Sequence, residues 1–235
     1  MKARPELLLA ASLAFVTVGC GGETEMDQAT QSTEEADPTM APEGQATGLP
    51  AGFALRLDRS SDNAADFHVM EVDGGWHIET GPRAIMYDAA NNTITNGDYT
   101  LSASFTEIGA PPNHREAFGL IFGGQDLQEL GYRYSYFVVR ATGDYLIKKR
   151  AGGETEELTG GWIASDAVDA AAEDGGDVTN VLQVRVAGDQ IHFSVNGTEV
   201  TSMPASDLDV YGVAGIRVNH NLNVMVSDWS LTQGM

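Results

Sequence analysis

The sequence predicts an all-β domain, a two-sheet antiparallel sandwich or jelly roll, and three observations carry that expectation. Short runs alternate apolar and polar residues with the period of two that a half-buried strand requires. Turn signals built from Gly, Asn, Asp and Pro return every 8–12 residues or so between those runs. No stretch of ten residues has the spacing of an amphipathic helix.

The clearest stretch is Asn180 to Val200, which reads as three short strands. Leu182, Val184 and Val186 alternate with Gln183 and Arg185. Ile191, Phe193 and Val195 alternate with His192 and Ser194. Gly188-Asp189 supplies the first joint. Asn196-Gly197 supplies the second and is the preferred pair for a two-residue type I′ hairpin. A register marked this strongly expects one buried side.

The remaining elements follow in order. Phe53, Leu55 and Leu57 suggest an opening strand. Phe67–Val72 and Trp76–Thr80 flank the turn Asp73-Gly74-Gly75, and Gly81-Pro82 stops the second strand. Ala84–Tyr87 is a short apolar piece, and Tyr99–Phe105 is a regular alternation. Ala117–Phe122 is apolar throughout, as in a strand buried on both faces. Tyr132–Arg140 and Tyr145–Arg150 form a long hairpin across Ala141–Asp144. Ala167–Glu173 is read as a helical turn and Pro204–Val210 as a loop; Gly212–Val218 and Leu222–Leu231 close the sheet. The expected core comprises Phe105, Phe118, Leu120, Phe122, Phe137, Val139, Ile147, Leu182, Val184, Ile191, Phe193, Val195, Ile216, Val224 and Trp229.

The chain divides into three parts. Residues 1–19 combine a basic start, Lys2 and Arg4, with an apolar run too short to span a bilayer. The run ends in Thr17-Val18-Gly19-Cys20, which resembles a bacterial lipobox. That resemblance implies cleavage before Cys20, acylation of Cys20, and a lipid bilayer as partner. By resemblance to bacterial sorting signals, Gly21 rather than Asp after the cysteine implies the outer membrane in a cell with two, so the expected location is the cell envelope. Residues 20–50 hold seven acidic residues and no basic one, the composition of a disordered tether. Residues 51–235 form the β-sandwich domain.

Thirteen Lys and Arg stand against 34 Asp and Glu, a formal net charge of −21. That excludes nucleic acid as a partner, because phosphate binding needs clustered cations. Cys20 is the only cysteine, so neither an intrachain disulfide nor a Cys-rich zinc site can form. No calcium-loop pattern is present, and the five histidines lack metal-ligand spacing. No cofactor signature is present.

The order of these pieces carries a resemblance. Phe118-Gly119-Leu120 is followed by an aromatic hairpin, then N-x-L-x-V-x-V leading into G-D-x-I-x-F-x-V-N-G-x-x-V, then Gly-x-Ala-Gly-Ile, and finally Ser227-Asp228-Trp229. This resembles the concanavalin A-like lectin/glucanase superfamily, and within it the 3-keto-disaccharide hydrolase-like domains, relatives of laminarinase-type jelly rolls. The resemblance spans about Phe53 to Leu231 and implies a jelly roll that handles carbohydrate. The E-x-D-x-x-E strand of family 16 glycoside hydrolases does not occur here, and Glu116-Ala117-Phe118-Gly119 stands where the keto-disaccharide group often has Asn-Ser-Gly.

Candidate chemistry is sparse. Glu107 and Glu116 flank the loop Gly109–Asn113 and are the candidates for a carboxylate pair of the glycosidase kind. Glu154, Glu156 and Glu157 read as a solvated acidic turn. Ser135 and Ser194 lie within strands without a nucleophile elbow. Tyr134, Tyr136 and Arg140 share one face of a strand, with Lys148 and Arg150 on the next. They are expected to form an outward strip that either suits the apolar faces and polar edges of sugar rings or packs tyrosines against the long basic side chains across strands. Three functions follow: an envelope-tethered module that binds a glycan or another envelope component without catalysis; a glycoside hydrolase or lyase of the 3-keto-disaccharide type; or a protein-interaction scaffold.

Overall fold

A computed structural model describes residues 46–234. The signal segment, Cys20 and nearly all of the acidic tether lie outside the described residues. The domain is two antiparallel sheets packed face to face, the sandwich that the alternation predicts.

The strands in chain order are β1 (Ala54–Leu57), β2 (Phe67–Val72), β3 (Gly75–Thr80), β4 (Ala84–Tyr87), β5 (Thr93–Ile94), β6 (Tyr99–Ala110), β7 (Ala117–Gln125), β8 (Arg133–Arg140), β9 (Asp144–Ala151), β10 (Glu154–Glu157), β11 (Ile163–Ala164), β12 (Gly176–Ala187), β13 (Gln190–Val195), β14 (Thr198–Pro204), β15 (Gly212–Val218) and β16 (Asn223–Gln233). One sheet runs β1-β4-β15-β7-β8-β9-β10, with β5 on β15 and β11 on β9. The other runs β14-β13-β12-β6-β16-β3-β2. Thr47 adds a parallel bridge to His68 at the free edge of β2.

The predicted meander is β12, β13 and β14, with Leu182 opposite Val195 and Val184 opposite Phe193. Its inward side chains meet those of β7, β8 and β9. Phe122 and Phe137 contact Phe193 at centroid distances of 6.1 and 5.2 Å, and Phe105 stacks on Phe118 at 5.8 Å. Burying each large apolar side chain here contributes about 1.5–3 kcal/mol. Ala117–Phe122 is buried on both faces, as its unbroken apolar run predicts. Gly119 is required by that packing, since a Cβ there would fall 2.2 Å from the Phe137 carbonyl oxygen. Of the expected core, Trp229 is only partly buried. It sits in a bulge of β16, where the register with β6 shifts between Ser227 and Ser230.

Two readings are corrected. Ala167–Glu173 forms no helix. Its backbone is instead tied to the β sandwich, with Asn180 exchanging two hydrogen bonds with the Asp169 backbone. Glu154–Glu157 is the edge strand β10 rather than a turn, although its glutamates are exposed as expected. Glu156 and Glu157 lie opposite Lys149 and Lys148 of β9, at 3.1 and 3.4 Å. The loop expected from Pro204 holds a single 3-10 turn, Ala205–Asp207.

At the far end of β7 the pairing with β8 shifts between Phe122 and Gln125. Gly123 takes φ 65° there, and a Cβ would lie 1.9 Å from the Asp209 carbonyl oxygen. This bulge turns the chain into the segment Asp126–Tyr132, which folds back over the outer face of the nine-stranded sheet.

Candidate functional site

Alternation in β8 sorts its side chains as expected. Phe137 and Val139 enter the core between the sheets, and Tyr134, Tyr136 and Val138 take the opposite face. That face is not the open strip expected from the sequence. Tyr134 is 1% exposed, Tyr136 2% and Arg150 1%, and Lys148 is buried with them. They belong to a second apolar layer with Ile85, Tyr87, Ile121 and Leu146, covered by Leu127 and Tyr132 of the returning segment. Tyr132 stacks on Tyr134 at 6.2 Å, and Tyr134 meets Tyr136 at 5.6 Å.

Charges are built into this layer. Arg217 donates to both oxygens of Asp58, at 3.0 and 2.7 Å, and to the Tyr134 hydroxyl at 3.1 Å. Arg150 Nη1 stands 3.1 Å from Asp58 Oδ2, an ionic contact rather than an aligned hydrogen bond. Burial alone would lower the pKa of Arg217, but the Asp58 carboxylate and Tyr134 outweigh it and hold the guanidinium above its usual range. Burial pushes the Tyr134 phenol up, with Arg217 opposing. Guanidiniums also lie over rings: Arg217 over Tyr136 at 5.0 Å and Arg56 over Tyr132 at 3.5 Å. Arg140 is half-buried, bonded to Asp144 at 3.0 Å and placed 4.2 Å over Trp162.

Asp58 links this layer to one end of the sandwich. There it lines a cavity of about 60 Å³ with Arg59, Asp62, Gly81, Pro82, Arg83 and His220. On the other side of Gly81 lies an open cleft of about 330 Å³, lined by Asp66, His68, Glu79, Thr80, Asn221, Leu222 and Asn223. Hydrogen bonds between turns hold this end. Thr80 N donates to the Leu222 carbonyl at 2.9 Å, Thr80 Oγ1 to the Asn219 carbonyl at 2.6 Å, and Gly81 N to the Asp66 carbonyl at 2.8 Å. His77 and Asn223 are hydrogen-bonded at 2.6 Å. Sequence reasoning missed this constellation. Its residues come from three separate turns and follow no spacing rule, and the only local signals were Gly81-Pro82 and Asn221, which has φ 56°.

The expected carboxylate pair is also near this end. Glu107 is 2% exposed and hydrogen-bonded to His114. Burial pushes its carboxyl up, His114 opposes, and the charge of Glu116 adds to the rise. The fold therefore brings Glu107 and Glu116 within electrostatic reach of each other. Glu116 Oε2 is 2.9 Å from His220 Nδ1, and His220 Nε2 is 3.4 Å from Arg83. Neither glutamate lines the cavity or the cleft. Among the described residues no group of three or more His, Cys, Asp or Glu is placed to hold a metal ion.

No protein-family profile and no curated protein matches this sequence. Solved structures do. The carbohydrate-binding module CBM66 from Bacillus subtilis superposes with a TM-score of 0.54 at 13% identity, over 82% of this chain and 99% of that one. A Bacillus subtilis protein of unknown function with a galectin-like fold gives 0.51 at 12% identity, over 77% and 89%. The metal-free carbohydrate recognition domain of Emp46p gives 0.51 at 7% identity, over 79% and 89%. At such identities the likeness is one of fold: the domain is a galectin-like jelly-roll sandwich.

Proposed function

We propose that the chain is an envelope-tethered module whose jelly roll binds a glycan without catalysis, held to a bilayer by acylated Cys20. The observation that carries the glycan reading is the polar end. Carboxylates, guanidiniums, two imidazoles and amides from three turns and the strand ends beside them surround a cavity and an adjoining open cleft of about 330 Å³, a volume in the range of small-ligand sites. Such groups pair with sugar hydroxyls as donors and acceptors. The likeness of fold to a carbohydrate-binding module and a carbohydrate recognition domain supports the same reading. The tyrosine and arginine layer beneath this end fixes Asp58 in place.

The test is a glycan array followed by calorimetry on the full-length protein, with Asp62→Ala and His68→Ala. Both side chains lie at the surface of this end. We expect at least a tenfold loss of affinity with unchanged thermal unfolding. Wild-type protein that retains no glycan, or variants that bind as well as wild type, would sink the reading.

One observation favours the hydrolase alternative: a buried acid with a raised pKa, Glu107, beside a second carboxylate, Glu116. Sugar release from 3-keto-glycosides that is abolished by Glu107→Gln and Glu116→Gln supports it. Full activity in both variants excludes the pair.

A further inference from the structure

We infer that the tyrosine and arginine layer on the outer face of the nine-stranded sheet is a closed site for a carboxylate-bearing sugar, with Asp126–Gly131 as its lid. This rests on the glycan reading above and assigns a ligand class to a second site.

The first observation is unmet hydrogen-bonding capacity. Nη2 of Arg150 and Nε of Arg56 are buried and make no hydrogen bond, and Nη1 of Arg150 has only its misaligned ionic contact with Asp58 Oδ2 at 3.1 Å. Arg150 is 1% exposed. Both guanidiniums are near one ring, Tyr132, at 3.5 Å for Arg56 and 5.8 Å for Arg150. Buried donors without acceptors are costly, and two guanidinium forks offer the geometry that a carboxylate fills with paired, charge-assisted bonds.

The second observation is charge. Arg150 and Arg217 share the Asp58 carboxylate. Arg56 meets the Leu127 carbonyl and an aromatic ring instead. Three guanidiniums around one carboxylate leave this layer positive, in a chain with a formal net charge of −21. The acids of the lid, Asp126 and Glu129, are exposed to solvent and screened from it.

The third observation is how the layer is closed. Arg56 Nη1 donates to the Leu127 carbonyl at 2.9 Å, Gln128 donates to the Tyr87 hydroxyl, and the Leu127 side chain is buried. The rest of the segment is exposed, and Gly131 at its end has open space where a Cβ would stand. The lid thus places a neutral carbonyl oxygen on a guanidinium that binds an anionic oxygen better. As the lid lifts, a ligand carboxylate replaces that carbonyl on Arg56 and reaches the Nη pair of Arg150. The Tyr132 ring, which Arg56 covers at 3.5 Å, offers the apolar face of the sugar a platform once Arg56 turns to the carboxylate.

The experiment compares a hexuronate oligosaccharide with the neutral oligosaccharide of the same linkage, by calorimetry on the full-length protein, in wild type, Arg150→Gln and Arg56→Gln. We expect wild type to bind the uronate at least tenfold more tightly and each variant to lose that preference. Backbone hydrogen exchange across 126–131 should change with the uronate alone. Equal affinity for the two sugars in wild type, or a preference that survives in both variants, overturns the proposal. Should a variant fail to fold, the wild-type comparison and the exchange at 126–131 decide the matter alone. Neutral binding that is lost in Asp62→Ala while no uronate preference exists leaves the glycan reading standing and removes only this inference. Absence of binding by either sugar removes both.

Discussion

Asp58 and Arg150 are separated in the sheet by four strands, β4, β15, β7 and β8, yet their side chains meet at 3.1 Å. In a flat sheet, five spacings of about 4.8 Å would hold the flanking strands roughly 24 Å apart, beyond the combined reach of an arginine and an aspartate. Asp58 lies one residue past the end of β1, so the pair is not held at the spacing of the flanking strands and the two side chains close the gap. Asp58 is the single carboxylate that two buried guanidiniums share there. Asp58→Ala should destabilise the domain by about 3–5 kcal/mol, because it leaves both charges buried without their partner. Urea unfolding checks this. Replacing Asp58, Arg150 and Arg217 together with apolar residues of similar volume should cost less than Asp58→Ala alone.

Glu107 gives a pH dependence with a defined sign. Its folded carboxyl is raised above the unfolded value, first by burial. The folded state thus holds a proton that the unfolded state has released between the ordinary carboxylate range and the raised folded value. Stability from this group is full below that window and falls as pH rises through it. Glu107→Gln, which keeps the shape and cannot ionise, should flatten the slope and melt higher than wild type above the window. Calorimetric scans at several pH values measure it. A wild-type slope retained in the variant would contradict the assignment.

Phe193 contacts both Phe122 and Phe137 across the sandwich. Phe193→Ala should cost about 3–5 kcal/mol through lost burial and the cavity left behind. Denaturant midpoints at unchanged m-value would confirm that the loss is one of stability rather than of cooperativity.

Asn196 does more than turn a hairpin. Its carbonyl oxygen accepts from Val181 N at 2.8 Å, and its amide nitrogen donates to the Ala167 carbonyl and to Asn180 Oδ1, each at 3.0 Å. Its φ of 50° adds a demand that Ala meets poorly. Asn196→Ala should cost about 1–3 kcal/mol and loosen the 167–170 segment, visible as faster amide exchange there than in β13.

Cys20 should carry lipid. Labelling with a palmitate analogue should mark the wild-type protein and not Cys20→Ser, and the mature N-terminus should be Cys20. Equal labelling, or a mature N-terminus elsewhere, would show that the chain is not anchored in this way.

The meander β12–β14 was legible because each of its signals is local. Alternation gives the face, and Asn196-Gly197 gives the turn. The same alternation correctly put Tyr134 and Tyr136 opposite Phe137 and Val139, but it could not show that the face is covered. The cover arrives from Asp126–Tyr132, launched by a bulge, and from Asp58, which lies 159 positions from its partner Arg217. The acidic run at Glu154–Glu157 was misread for a related reason. Charge density correctly argued for solvent but hid the strand, because Lys148 and Lys149, which lie opposite those acids, are on a neighbouring strand. The polar end was illegible because its residues are single polar side chains at the tips of unrelated turns, with no periodicity for a pattern to reveal.

Two of the four sheet margins, one in each sheet, differ in how they discourage unwanted neighbours. β10, which closes one margin, carries Glu154, Glu156 and Glu157 in four residues. A second copy approaching it to extend the sheet would bring the same three carboxylates. At β2 the chain covers its own margin, since Thr47 accepts from Val69 N at 2.8 Å and donates to the Phe67 carbonyl at 3.0 Å. Two copies meeting at these margins would therefore face like charge on one and an occupied backbone on the other, and neither margin invites a further strand.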